Sequence, residues 1–161
     1  MQINNMHNTG FTGIKVKNEK AVTLYVGNSY KDIKKLDKIC NDCVELDKQA
    51  ETKMQKNIRE QGLEGIVKPQ YVEWTLIDGV IDSYGHSERA TIEETIGEGE
   101  NQRKRTFWAP TLSKLQESYS DALERAEDAT KELCRNTQET SSAYANKCKQ
   151  AISDLLDKYG K

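Results

Sequence analysis

The apolar positions of this 161-residue chain change their period along its length. The first ten residues are polar and read as a flexible tail. Ile14 and Val16 then share one face of a short segment. After Asn18-Glu19-Lys20, Val22, Leu24 and Val26 alternate with Ala21, Thr23 and Tyr25. A period of two is the mark of a half-buried strand, so residues 11–26 read as a β-hairpin turning at Asn18.

The period lengthens at Ser29. Ile33, Leu36, Ile39, Cys40, Cys43, Leu46, Ala50, Met54 and Ile58 recur at spacings of one, three and four, and no glycine or proline interrupts residues 29–61. That stripe predicts one amphipathic helix over 29–61, opened by Ser29 and stopped at Gly62. At 1.5 Å per residue it would be about 50 Å long, more than a small domain needs.

Period two returns over residues 70–108. Val72, Trp74 and Leu76 fall on one side, and Asp78-Gly79 is a strong hairpin-turn dipeptide with Val80–Tyr84 as the return strand. Residues 89–96 and 102–108 form a second hairpin around Gly97–Asn101. Centring that turn on Gly99 sets Glu94 opposite Lys104 and Glu93 opposite Arg105. The last segment, 111–161, is helical again. Leu112, Leu115, Tyr119, Leu123, Ala126, Ala129 and Leu133 make one stripe, and Tyr144, Cys148, Ile152, Leu155 and Tyr159 another. The polar run Asn136–Ser142 between them predicts a break and a helical hairpin; a single helix of nearly fifty residues is the alternative. The expected fold class is therefore α+β. A small antiparallel sheet of two or three hairpins packs with a long central helix in an 11–110 domain, followed by the C-terminal helical segment.

Composition sharpens this picture. Ile, Leu, Val and Phe together supply 31 of 161 residues, about 19%, yet 24 basic against 26 acidic residues leave a net charge of only −2. A lean core with so little net charge is foldable rather than disordered. Charge is segregated, at +3 over residues 1–60, −7 over 61–100 and +2 over 101–161. No stretch is apolar enough for a membrane span and the N-terminus lacks a signal pattern, so a cytoplasmic protein with reduced thiols is expected.

Candidate chemistry is sparse. Cys40-Asn41-Asp42-Cys43 has metal-knuckle spacing, and Cys134 and Cys148 could complete a zinc set. All but Cys134 fall on the apolar helical stripes, so packing is the first reading. Arg103, Lys104 and Arg105 with Phe107 and Trp108, joined by Arg89, combine phosphate-neutralising and stacking side chains, the mixture used for nucleotides or nucleic acid. Glu93, Glu94, Glu98 and Glu100, with Glu88, form an acidic patch suited to a basic partner. His86, between Ser83, Ser87 and Glu88, reads as a solvated loop, and His7 lies in the tail. No P-loop, GxGxxG, GxSxG, HExxH or EF-hand pattern occurs.

These features predict a non-enzymatic interaction protein without a cofactor. It would self-associate through its long helices and bind or inhibit a partner protein, as an accessory protein of a mobile genetic element would. The alternative is a small-ligand, nucleotide or nucleic-acid binding module built on the 103–108 strand.

Overall fold

The computed structural model describes residues 13–27, 29–81 and 87–160. Its elements are β1 (Ile14–Val16), α1 (Glu19–Val26), α2 (Tyr30–Glu60), β2 (Val72–Ile81), β3 (Ser87–Ile96), β4 (Arg103–Trp108) and α3 (Leu115–Tyr159). The α+β class holds, but the sheet is mixed. Strand order is β1-β2-β3-β4, with β1 parallel to β2 and the remaining pairs antiparallel.

Asn18 causes the first departure from expectation. Its side chain accepts a hydrogen bond from the Ala21 amide at 3.0 Å, so the residues read as a turn are a helix N-cap. Ala21, Val22 and Tyr25 then share a buried helical face just as readily as they fit a strand. A six-residue apolar run carries no decisive period of its own, and the cap decides it. The 11–26 hairpin is thus a three-residue strand followed by a helix.

The second departure is at Asp78-Gly79, which is not a turn. β2 runs through both residues, pairing Asp78 with Thr91 and Gly79 with Ala90. Ile77 is the extra residue of a bulge between Leu76 and Asp78, and it reverses the alternation. Asp78 faces solvent, and Gly79 faces α1. A Cβ on Gly79 would stand 2.6 Å from Leu24 Cβ and 2.9 Å from the Leu24 carbonyl carbon. The glycine is therefore required for contact with α1 rather than for a turn.

Three rungs across β2, β3 and β4 face the helices: Val72, Ile96 and Arg103; Trp74, Glu94 and Arg105; Leu76, Ile92 and Phe107. Ile14 adds β1 beside Trp74. The opposite face carries exposed Glu73, Glu93, Lys104, Thr106 and Trp108. The expected register of the β3–β4 hairpin was one residue off. Glu94 pairs with Arg105 and Thr95 with Lys104, and a one-residue slip exchanges the two faces.

Helices α2 and α3 run parallel. Asp47 meets Tyr119, Lys53 meets Glu127, Met54 meets Thr130 and the Gln61 carbonyl meets Gln138, so contacts advance together along both helices. The sheet between them returns the chain to its starting end. Ile58, Cys134, Leu63 and Val67 close the distal end in a small second cluster. The break expected at Asn136–Ser142 is absent, and α3 is one helix of 45 residues.

Tyr119 and Asp47 form a polar pair in the main core. Tyr119 donates to Asp47 Oδ1 at 2.6 Å, while Asp47 Oδ2 has no hydrogen-bond partner among the described residues. Burial pushes the Asp47 carboxyl up to about 7. The Tyr119 and Gly13 hydrogen bonds oppose the shift, and Glu51 adds to it. A carboxyl raised in the folded state holds its proton more tightly there than in the unfolded chain. Stability therefore falls as pH rises from about 4 to about 7.

Asp47→Asn should remove that slope and raise Tm at pH 8 by at least about 4 °C, read by calorimetry across the pH range. An unchanged slope would show that Asp47 does not titrate in this window. Gly79→Ala should destabilise the fold by about 1–3 kcal/mol in urea denaturation, because Leu24 and its helix must shift to admit the methyl group.

Candidate functional site

Two surfaces combine unusual exposure with organised chemistry. The first is the distal part of α3. α2 ends at Glu60 beside Gln138, and α3 continues alone. Every residue from 138 to 160 is exposed. Twenty-two residues of helix, Gln138 to Tyr159, project about 33 Å beyond the last helix contact. Tyr144, Ile152, Leu155, Leu156 and Tyr159 are each 58–71% exposed on this arm. Together with Cys148 they continue, by helical spacing, the seam that buries Ala126, Thr130 and Cys134 against α2. The sequence placed this stripe on a returning helix; it is instead the uncovered end of an existing interface.

The second surface is the junction of β4 with α3. Pleating splits the basic–aromatic strand into two faces. Arg103, Arg105 and Phe107 turn toward the helices, whereas Lys104 and Trp108 turn away. Phe107 packs edge-on to Trp74 at 5.3 Å, so it is no stacking platform for a base. Trp108 is half exposed on the open face with the Arg89 guanidinium 4.1 Å from its ring centre. The six residues therefore do not form one binding surface.

Glu94 is likewise removed from the acidic patch. It is 2% exposed and accepts from Trp74 Nε1 at 2.5 Å, Arg105 Nε at 2.8 Å and an Arg125 terminal nitrogen at 2.8 Å. Its position on the inner rung dictates this, because a buried carboxylate must be met by donors or cations. Glu93, Glu98 and Glu100 stay exposed, and the side chain of Glu88 lies outside the described residues. Ser83 and His86, and His7 of the tail, also lie outside them. Arg125 and Glu132, which meet Glu94 and Arg103, were invisible to sequence reasoning, since nothing in a helical stripe tells which strand runs beside it.

The four cysteines do not converge. Cys40 and Cys43 are buried in the main core, Cys134 in the distal cluster, and Cys148 is exposed on the arm. Among the described residues no group of three or more His, Cys, Asp or Glu side chains is placed to hold a metal ion. Burial raises the Cys43 and Cys134 thiols above their ordinary range, with Cys40, Asp47 and Asp42 adding to the effect at Cys43. A protonated, enclosed thiol is a poor nucleophile. No helix among the described residues is long and apolar enough to cross a membrane.

In a native-state alkylation experiment read by mass spectrometry, Cys148 should react first. Cys40, Cys43 and Cys134 should follow only at the rate of unfolding. Early modification of the Cys40–Cys43 pair would contradict its burial.

No protein-family model, curated protein or solved structure matches this chain.

Proposed function

We propose that this chain is a non-enzymatic assembly protein whose α+β head presents the distal half of α3 as an arm for a second copy of itself. The observation that carries this reading is the row Tyr144, Ile152, Leu155, Leu156 and Tyr159, exposed on a helix that has outrun its partner. A lone helix of this length is marginal in water, and most helical stability in proteins comes from packing an apolar face. Pairing supplies that packing.

Charge favours a second copy running antiparallel. Each helix carries a dipole along its axis. Parallel, in-register arms would set like ends of the two dipoles beside each other. Antiparallel arms set opposite ends together. Ten large side chains, each about half covered, supply on the order of 10 kcal/mol. That is comparable to the roughly 4–15 kcal/mol cost of association, so a dimer of micromolar-range affinity is expected.

Sedimentation equilibrium should show a reversible dimer, and Leu155→Asp should yield a monomer whose head melts at the same temperature. A wild-type monomer at tens of micromolar, or a Leu155→Asp dimer, would refute the arm as the contact. Orientation has its own test. In antiparallel arms centred near Ile152, the two Cys148 residues lie about 12 Å apart along the axis, too far for a disulfide. Mild oxidation should therefore crosslink Ile152→Cys in a Cys148→Ser background rapidly and the wild type slowly. Rapid crosslinking of the wild type through Cys148 would instead establish parallel arms.

A further inference from the structure

Where β4 meets α3 there is a cleft of about 210 Å³. Arg103, Arg105 and Arg125 line it around the single carboxylate of Glu94, over Ile96. We propose that this cleft binds a small oxyanion of phosphoryl size, an activity separate from self-association through the arm.

Three observations converge on this reading. First, the charge is unbalanced. Glu94 meets Arg105 and Arg125, and Glu132 meets Arg103 at 3.1 Å, so two carboxylates serve three guanidiniums. Second, the guanidiniums are held before any ligand arrives. Glu94 is fixed by the Trp74 indole and grips Arg105 through Nε alone and Arg125 through one terminal nitrogen. The Arg105 ring contact with Phe107, at 4.5 Å, restricts it further. Each guanidinium offers five N–H donors in a rigid fork, so several remain after the bond to Glu94. Arg105 and Arg125 are 51% and 43% exposed at their side chains, which leaves them accessible. Fixed, partly desolvated donors lose little freedom when they bind and are the arrangement that suits a tetrahedral oxyanion.

Third, size limits the ligand. Pockets for drug-sized molecules run to about 300–1,000 Å³. The smaller volume here suits a phosphoryl or comparable group better than a whole nucleotide. Trp108, the nearest exposed aromatic of the strand, lies on the other face of the sheet and cannot stack on a ligand held in the cleft.

The test is isothermal titration of the intact protein with inorganic phosphate and pyrophosphate in low-salt buffer, with chloride matched for ionic strength. Saturable heat is expected, weakening as sodium chloride is added. Arg125→Gln should weaken binding about tenfold or more, since it removes a charge-assisted donor set. Arg103→Gln, at the exposed rim of the cleft, should weaken it by a smaller factor with the melting temperature unchanged, so the test survives even if Arg125→Gln misfolds. Arg89→Gln, on the opposite face, and Leu155→Asp, in the arm, should bind as the wild type does. Absence of saturable heat at millimolar anion would overturn the proposal. So would equal loss in Arg89→Gln, or unchanged affinity in both Arg125→Gln and Arg103→Gln.

Discussion

Much of this structure depends on how one buried carboxylate is satisfied. Glu94 sits on the inner rung of the central antiparallel pair, where burying an unpaired charge would cost several kcal/mol. Its donors come from three different elements, the Trp74 indole on β2, Arg105 on the edge strand β4 and Arg125 on α3. Satisfying the carboxylate therefore locks the edge of the sheet to the helix. Trp74 carries the constraint inward. Its ring meets Phe107 and Tyr119 edge-on, at 5.3 and 5.1 Å, and Tyr119 donates to Asp47 on α2. A continuous polar and aromatic line thus runs from the sheet edge through the core to the far helix. Every member but the Asp47 Oδ2 atom has a partner, and that exception gives the core its pH sensitivity.

The same line fixes the direction of α3. With Tyr119 held on Asp47 and Arg125 on Glu94, the helix can only run beside α2 in the same sense. Its seam partner ends at Glu60, whereas its own sequence offers no glycine or proline until Gly160. The projecting arm is a consequence of that mismatch in length. The seven polar residues 136–142 mark where α2 stops rather than where α3 breaks. Along the seam, Thr137, Gln138 and Ser141 need no apolar cover at the point where cover runs out.

Where the sequence carried long periodic signals, it was legible. The stripe from Ile33 to Ile58 predicted α2 almost to the residue, and Val72, Trp74 and Leu76 were placed correctly on the buried face of β2. Short segments failed for physical reasons. Ala21–Val26 fits either period, and only the Asn18 cap separates them. Asp78-Gly79 has the composition of a tight turn, but the glycine serves the approach of α1 and the bulge at Ile77 hides the register. The basic strand residues were recognised as a group. Their division between two faces depends on a register that differs by one residue from the symmetric guess. Arg125 could not be tied to Glu94 at all, because their pairing arises from tertiary packing across 31 positions.

The lean core of about 19% strong hydrophobes now has a specific location for its deficit. The head is well filled. Trp74, Tyr119, Leu36, Leu76, Ile92 and Leu115 are all essentially inaccessible, and its polar intrusions are paired save for one Asp47 oxygen. Among the described residues, the arm holds most of the large apolar side chains left in water. From Arg125 at the cleft to Ile152 at the centre of the arm is about 40 Å along a single helix. Antiparallel arms would therefore carry two clefts to opposite ends of an elongated dimer. The cleft reaches α3 only at Arg125 and Ala129, and the exposed arm starts at Gln138, so the two sites share no residue and anion binding at the heads and pairing at the arms should be energetically independent.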